Sequence, residues 1–292
     1  MSVFELHLNL MPGKNENRVD PREFFSGLKS HPSKGLGQNF IKDYRVIDSI
    51  VEVSGLSSDD EVIEIGPGLG ALTFSLANKA GRVVAVEKDK KLADHLGEMF
   101  SDYPNVELIL QDALKTDYSK IYRGKKLKVI ANLPYSVSSP LLFKLLEARK
   151  YISSMVLMLQ LEVGERITAA PGEKTYGSIS VILQTYLDIT REFKVSPESF
   201  WPRPKVDSVV LKLSPLKTSR VNVPDEKLFE RVVRAAFSSR RKMIGNSLQS
   251  IMSKETASQA LELAGVDNKR RAETLTIEEF GLLAEKVSLQ TD

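Results

Sequence analysis

Three glycines spaced two apart, Gly66, Gly68 and Gly70 in EIGPGLG (64–70), follow a short apolar run and precede a helical one. Glycine lets a ligand approach the main chain closely, and a loop that opens a helix turns backbone N–H groups toward that ligand. Glu64 leads this loop, and Glu87 closes the next apolar run 21 residues after Gly66. A carboxylate at that distance can accept from both hydroxyls of a ribose. A tight strand-to-helix turn and a plain surface glutamate are the alternatives without a ligand.

The dinucleotide fingerprint G-x-G-x-x-G needs a third glycine where this chain has Ala71, and it accepts alanine there, so the loop alone does not choose its nucleotide. A nicotinamide dinucleotide and S-adenosylmethionine both present an adenosine ribose. Asp112, after the third apolar run, can accept from an adenine amino group or simply cap a helix. NLPY (132–135) says more. Pro134 biases Leu133 toward an extended backbone, Asn132 offers a side-chain carbonyl and Tyr135 an aromatic face. Two acceptors on the hydrogens of an aromatic amino group would favour its nucleophilic, pyramidal form. A stacked base would be held for in-line attack on a methyl sulfonium, and no strong general base is needed. A bare strand-to-helix turn is again the plainer reading.

The elements around these residues follow from periodicity. EVIEI (61–65), RVVAV (82–86), VELIL (106–110), LKVIA (127–131) and SMVLML (154–159) alternate with helix-length segments. That pattern predicts a doubly wound, Rossmann-like α/β fold with a parallel sheet covered on both faces and its ligand beyond the strands' carboxyl ends. A helix over 43–53 with Asp43 as N-cap precedes it, and a helix over 71–78 follows the glycines. DITREFKV and DSVVLKLS flank the Pro-rich FWPRPK and predict a hairpin at the sheet edge. From about 222 onward only helical periodicity remains, which predicts a small all-α domain over 222–292 beside a catalytic domain over 31–216. Residues 1–30 are polar, broken by Pro12, Gly13 and Pro21, and read as a loosely attached, flexible extension.

The 292 residues carry no cysteine, three scattered histidines and a net charge of +3. Disulfides and thiolate metal sites are excluded, a zinc site is not expected, and no run reaches the length of a membrane span. The N-terminus lacks the features of a secretion signal. Any nucleic-acid contact must come from local clustering of cations.

Five ordered stretches, KGLGQNFIKD (34–43), EIGPGLGALT (64–73), NLPYSVSSP (132–140), FWPRPKVDS (200–208) and AAFSSRRK (235–242), make the chain similar to the KsgA/RsmA family of ribosomal RNA adenine N6,N6-dimethyltransferases. They are spread over most of residues 31–265. The resemblance implies a cytoplasmic S-adenosylmethionine-dependent enzyme of class I methyltransferase fold. It implies that Gln38, Asn39 and Ile41 close over the methionine end of the cofactor and that Gly66 and Gly68 lie beneath it, with Glu64 and Asn132 also in the cofactor site. Glu87 would take the ribose and Asp112 the adenine; Asn132, Leu133 and Tyr135 would hold the target adenine, and Phe200 would sandwich the flipped base. Trp201 beside it is bulkier than the family leads one to expect, and reads equally as a core residue or an RNA contact.

The implied target is two adjacent adenosines near the 3′ end of 16S ribosomal RNA in the assembling small subunit; a monomer is expected because nothing in the sequence demands an interface. A large-subunit resistance methyltransferase, a nicotinamide-dependent dehydrogenase and a non-catalytic assembly factor are the rival classes. From Arg231 to Lys242 five cations (Arg231, Arg234, Arg240, Arg241, Lys242) occur without an acid. On a continuous helix four of them would share a stripe of about 100°, with Arg240 reaching out from the apolar side. With Lys34, Arg203 and Lys205 they form the expected phosphate-binding surface, the plain alternative being a solvated charged face.

Overall fold

The computed structural model describes residues 19–27, 31–33, 35 and 37–290. Its main sheet has seven strands in the order β4-β3-β2-β5-β6-β9-β7. They are β2 (Glu61–Ile65), β3 (Arg82–Glu87), β4 (Val106–Leu110), β5 (Leu127–Asn132), β6 (Ile152–Gln160), β7 (Leu187–Val195) and β9 (Ser208–Pro215). β1 (Phe40–Ile41) and β8 (Phe200–Trp201) form a separate antiparallel pair. The five sequence-expected strands all form, two of them within the stated bounds and three slightly longer. β2 to β6 are mutually parallel, and their central residues Ile63, Val84, Val129, Ile130 and Leu157 are buried at 0% exposure. Burial on both faces explains why the inner strands β2, β3, β5 and β6 read as largely apolar runs without strict alternation, whereas the edge strand β4 has no fully buried residue.

β2 has β3 on one side and β5 on the other. The strand order therefore reverses between β2 and β5, and a crevice opens at their carboxyl ends. Those ends are Ile65, followed by the glycine loop, and Asn132, which begins NLPY. The expected hairpin forms from β7 and β9, with β9 also joining β6 antiparallel so that both strands extend the sheet.

The helix Tyr44–Ser54 starts at the expected cap, Asp43, whose side chain accepts from the Arg45 N–H. Beyond β9 the described residues hold helices and no strand, chiefly Glu226–Ala236, Lys254–Leu263 and Ile277–Ser288. One apolar core runs through both parts: Tyr186 meets Phe229 with ring centroids 6.4 Å apart, and the buried Tyr176 hydroxyl donates to the Leu275 carbonyl at 3.1 Å.

Two expectations need correction. The helix that should carry the cationic stripe ends at Ala236, with Phe237 as its C-cap. Ser238 and Ser239 follow, and serine hydroxyls compete with a helical backbone, while the Phe237 ring turns into an aromatic cluster with Tyr176 and Phe280. Arg240, Arg241 and Lys242 thus lie on a turn, out of line with Arg231 and Arg234. The described part of the N-terminal extension is also not loose. Pro21–Gly27 is a helix, and Phe25, 7% exposed, lies against Phe40 and Trp201 with centroids 5.4 and 5.8 Å apart.

Candidate active site

The crevice between β2 and β5 opens into a cleft bordered by Gln38, Asn39 and Ile41 on one side and by Glu64, Gly66 and Gly68 beneath. Glu87, Asp112, Asn132, Leu133 and Tyr135 complete it. Every residue assigned from sequence to the cofactor site is therefore brought together, and three of the four assigned to catalysis join them.

Glycine is required in the loop for two reasons. Gly66, Gly68 and Gly70 have φ of 69°, 62° and 83°, a region costly for other residues. A Cβ on Gly68 would also stand 3.0 Å from the Phe40 ring. Removing side chains here leaves bare main chain at the floor of the cleft, the surface a flat or anionic ligand part needs.

Glu87 is fixed by the backbone around it. Its Oε1 accepts from the N–H groups of Lys88 and Asp89 at 2.8 Å each, while Oε2 accepts a longer bond of 3.3 Å from Gly68. Oε2 thus keeps acceptor capacity for a diol. Burial raises the pKa of this carboxyl. Asp112 is held the other way: the Lys88 ammonium, 2.8 Å from Oδ2, keeps its carboxyl below the usual range. Asp112 also accepts from Leu114 N–H at 3.0 Å, so it caps its own turn as well as bordering the cleft.

The closing segment is tied down at both ends. Gln38 donates to Asp89 Oδ2 at 3.0 Å and accepts from Ser33 N–H at 2.7 Å. Asn132 Nδ2 donates to the Asn39 carbonyl at 3.0 Å. Since an amide facing a carbonyl must present its nitrogen, the Asn132 oxygen is the atom left to accept from a ligand. Leu133 N–H is bound to the Met158 carbonyl at 2.9 Å, and Leu133 is buried. The Tyr135 hydroxyl shares a 2.6 Å bond with Ser208 Oγ, and burial raises its pKa.

Phe200 is not brought to the cleft. It is 1% exposed and packs among Ile47, Ile50, Met158 and Val195, while its backbone pairs with Ile41. Trp201 faces Phe40 across the β1–β8 pair and is covered by Phe25, which makes it a packing residue in this structure. Among the expected RNA contacts, Lys34 lies outside the described residues. Lys205, Arg231, Arg241 and Lys242 are exposed. Arg203 pairs with Glu198 at 2.5 Å, and Arg240 donates to the Lys174 carbonyl. Arg234 pairs with Glu230 at 3.3 Å and lies over the Phe143 ring, 4.3 Å from its centroid.

Sequence reasoning missed Lys88, Ser208, and Val19 and Pro21, which also border the cleft. Lys88 could have been suspected from its place directly after Glu87, and the N-terminal residues from the adjacent Phe24 and Phe25 in an otherwise polar stretch. Nothing in the sequence pairs Ser208 with Tyr135.

The doubly wound sheet, with a glycine loop at its reversal point and Glu87 closing β3, is the fold of the class I methyltransferases, and the likeness to known proteins separates it from the nicotinamide enzymes. Among solved structures, a dimethyladenosine transferase from Plasmodium falciparum matches with a TM-score of 0.72 at 27% identity, over 84% of this chain and 95% of that one. The 23S rRNA methyltransferase ErmE matches with 0.65 at 27% identity, over 85% and 99%. Residues 30–288 match the family described as ribosomal RNA adenine dimethylase. Two relatives named ribosomal RNA small subunit methyltransferase A are 47% identical over 91% of this chain and 98% of theirs (Clostridium botulinum) and 46% identical over 86% and 94% (Geobacter metallireducens). The chain belongs to the ribosomal RNA adenine dimethylase family, which removes the nicotinamide alternative.

Proposed function

We propose that this protein transfers methyl groups from S-adenosylmethionine to N6 of two adjacent adenosines in the 3′-terminal hairpin of 16S ribosomal RNA, giving N6,N6-dimethyladenosine in late small-subunit assembly. The observation that carries the reading is the Asn132 amide, whose nitrogen is committed to Asn39 beside the cleft. When bound, the cofactor supplies an electrophilic methyl on a sulfonium. Gln38, Asn39, Ile41, Glu64, Gly66 and Gly68 hold its methionine end, Glu87 the ribose and Asp112 the adenine. The Asn132 oxygen accepts a hydrogen of the target amino group and orients its lone pair for attack. Tyr135, anchored on Ser208, positions the base by its ring. The nitrogen turns acidic only as the methyl is gained, so its proton passes to water without a dedicated base.

The exposed Lys205, Arg231, Arg241 and Lys242, with Lys34, Arg203, Arg234 and Arg240, meet RNA phosphates. The acidic partners of Arg203 and Arg234 make these two weaker contacts than Lys205, Arg231, Arg241 and Lys242, which form no ion pair with another described residue. The protein acts as a monomer in the cytoplasm, where subunits assemble, with its helical part over 222–292 as the RNA-binding domain. The test is transfer of labelled methyl to under-methylated small subunits, large subunits and free RNA. Dimethyladenosine in the small subunit alone is the expected product. Label confined to large-subunit RNA would assign the ErmE-like target, and no label despite cofactor binding would leave an assembly factor.

A further inference from the structure

Glu64 sits next to the end of β2, is 1% exposed and borders the cleft. Its Oε2 is buried with no hydrogen-bond partner. Its neighbours across the sheet are Ala85 on β3 and Ile130 on β5. The polar groups that bear on it are Thr73, from the helix Ala71–Ala77, and Glu87 at the end of β3. Thr73 is neutral, and Glu87 repels a second negative charge. Among the described residues no cation compensates Glu64. A carboxylate in such a place lacks both water and a counter-charge, the two things that favour ionisation. Burial accordingly pushes this carboxyl up to about 8.

The missing counter-charge has a natural source: a ligand carrying a cation into the cleft that Glu64 borders. We infer that Glu64 is uncharged in the free protein and gives up its proton to solvent, through the cleft, when a cationic cofactor enters. The inference rests on the S-adenosylmethionine reading. In the step the carboxyl O–H bond breaks, its electron pair stays on oxygen, and the proton is taken by the buffer. Cofactor affinity then rises with pH below about 8, its logarithm climbing by up to one per pH unit and levelling above.

The experiment is calorimetric titration of the full chain at pH 7 in two buffers of different ionisation enthalpy, with S-adenosylmethionine, S-adenosylhomocysteine and neutral 5′-methylthioadenosine as probes. An α-amino group itself titrates near roughly 7.7–8.0, so the quantity read is the difference between wild type and Glu64→Gln, which preserves shape. The expected result is an excess of about half to one proton released per site by the wild type with the first two probes. Methylthioadenosine serves as a check that needs no variant, and it should release none. Release with both cationic probes assigns the ammonium as the partner; release with S-adenosylmethionine alone assigns the sulfonium. Equal proton release in wild type and Glu64→Gln, or the same release with methylthioadenosine, overturns the inference while leaving the cofactor reading intact. Failure of all three probes to bind in equilibrium dialysis overturns both.

Discussion

Asn132 Nδ2 and the Asn39 carbonyl oxygen meet at 3.0 Å between residues 93 positions apart, so the residue proposed to hold the target amino group also ties down a segment that borders the cleft. Asn132→Ala therefore has two effects of unequal size. Loss of the acceptor at the reacting nitrogen should lower kcat by roughly 10²–10³. Loss of one neutral hydrogen bond, worth about 0.5–1.5 kcal/mol, should weaken S-adenosylhomocysteine binding about three- to tenfold. Methyl transfer at saturating cofactor, set beside a binding titration, separates them. A proportional loss in both would deny Asn132 its role at the amino group.

Ser208 anchors the Tyr135 hydroxyl at 2.6 Å from a fully buried position at the start of β9. Ser208→Ala leaves a half-buried phenol without its partner, a cost of about 1–3 kcal/mol, and frees the ring. Methyl transfer should fall roughly tenfold, with cofactor affinity unchanged. Tyr135→Phe keeps the stacking face and should fare better than Tyr135→Ala. If Phe and Ala prove equally impaired, the hydroxyl and not the ring carries the function.

Gly68→Ala forces a Cβ into the left-handed region, at about 1–2 kcal/mol, and against the Phe40 ring 3.0 Å away. The loop and the closing segment share that contact, so cofactor affinity should drop by at least tenfold while the melting temperature falls only a few degrees. Unaltered affinity in a folded Gly68→Ala protein would show that the loop does not set the shape of the cleft.

How much of this was legible in the sequence divides along physical lines. The strands were, because inner parallel strands buried on both faces leave largely apolar runs, and the edge strand β4 keeps enough of that composition. The glycine loop and Asn132 were, because the strand reversal at β2 and β5 places both at one crevice. Contacts between distant side chains were not: Tyr135 and Ser208 stand 73 positions apart, and such a pairing leaves no trace in periodicity. The cationic stripe failed because a helical projection assumes a helix, and two serines ended it at Ala236. Phe200 was assigned by its motif alone, and a motif does not say that the ring turns into the core beside Ile47.

The helix Pro21–Gly27 buries Phe25 against Phe40 and Trp201, and Phe24 meets His95 with centroids 4.6 Å apart; Val19 and Pro21 border the cleft. Phe25→Ala removes the ring that covers Phe40 and Trp201. Amide hydrogen exchange should then speed up in residues 37–41 as well as 21–27, and cofactor binding should weaken several-fold. The exposed neighbour Glu23→Ala serves as the control. Faster exchange confined to 21–27 would make the helix an ornament and not a part of the cleft.

Glu64 also makes stability depend on pH in the absence of any ligand. Its folded-state value of about 8 stands above an ordinary 4.5, so between those values the folded protein binds a proton that the unfolded chain does not. A carboxyl raised in this way contributes fully below pH 4.5 and loses its contribution as pH climbs to 8. Glu64→Gln cannot ionise and escapes the loss. Wild type and Glu64→Gln should therefore differ little at pH 5 and diverge toward pH 9, the variant becoming more stable by roughly 3–5 kcal/mol. Urea titrations at both pH values measure the gap directly. A constant difference across that range would mean that Glu64 is already charged in the free protein and that a partner compensates it.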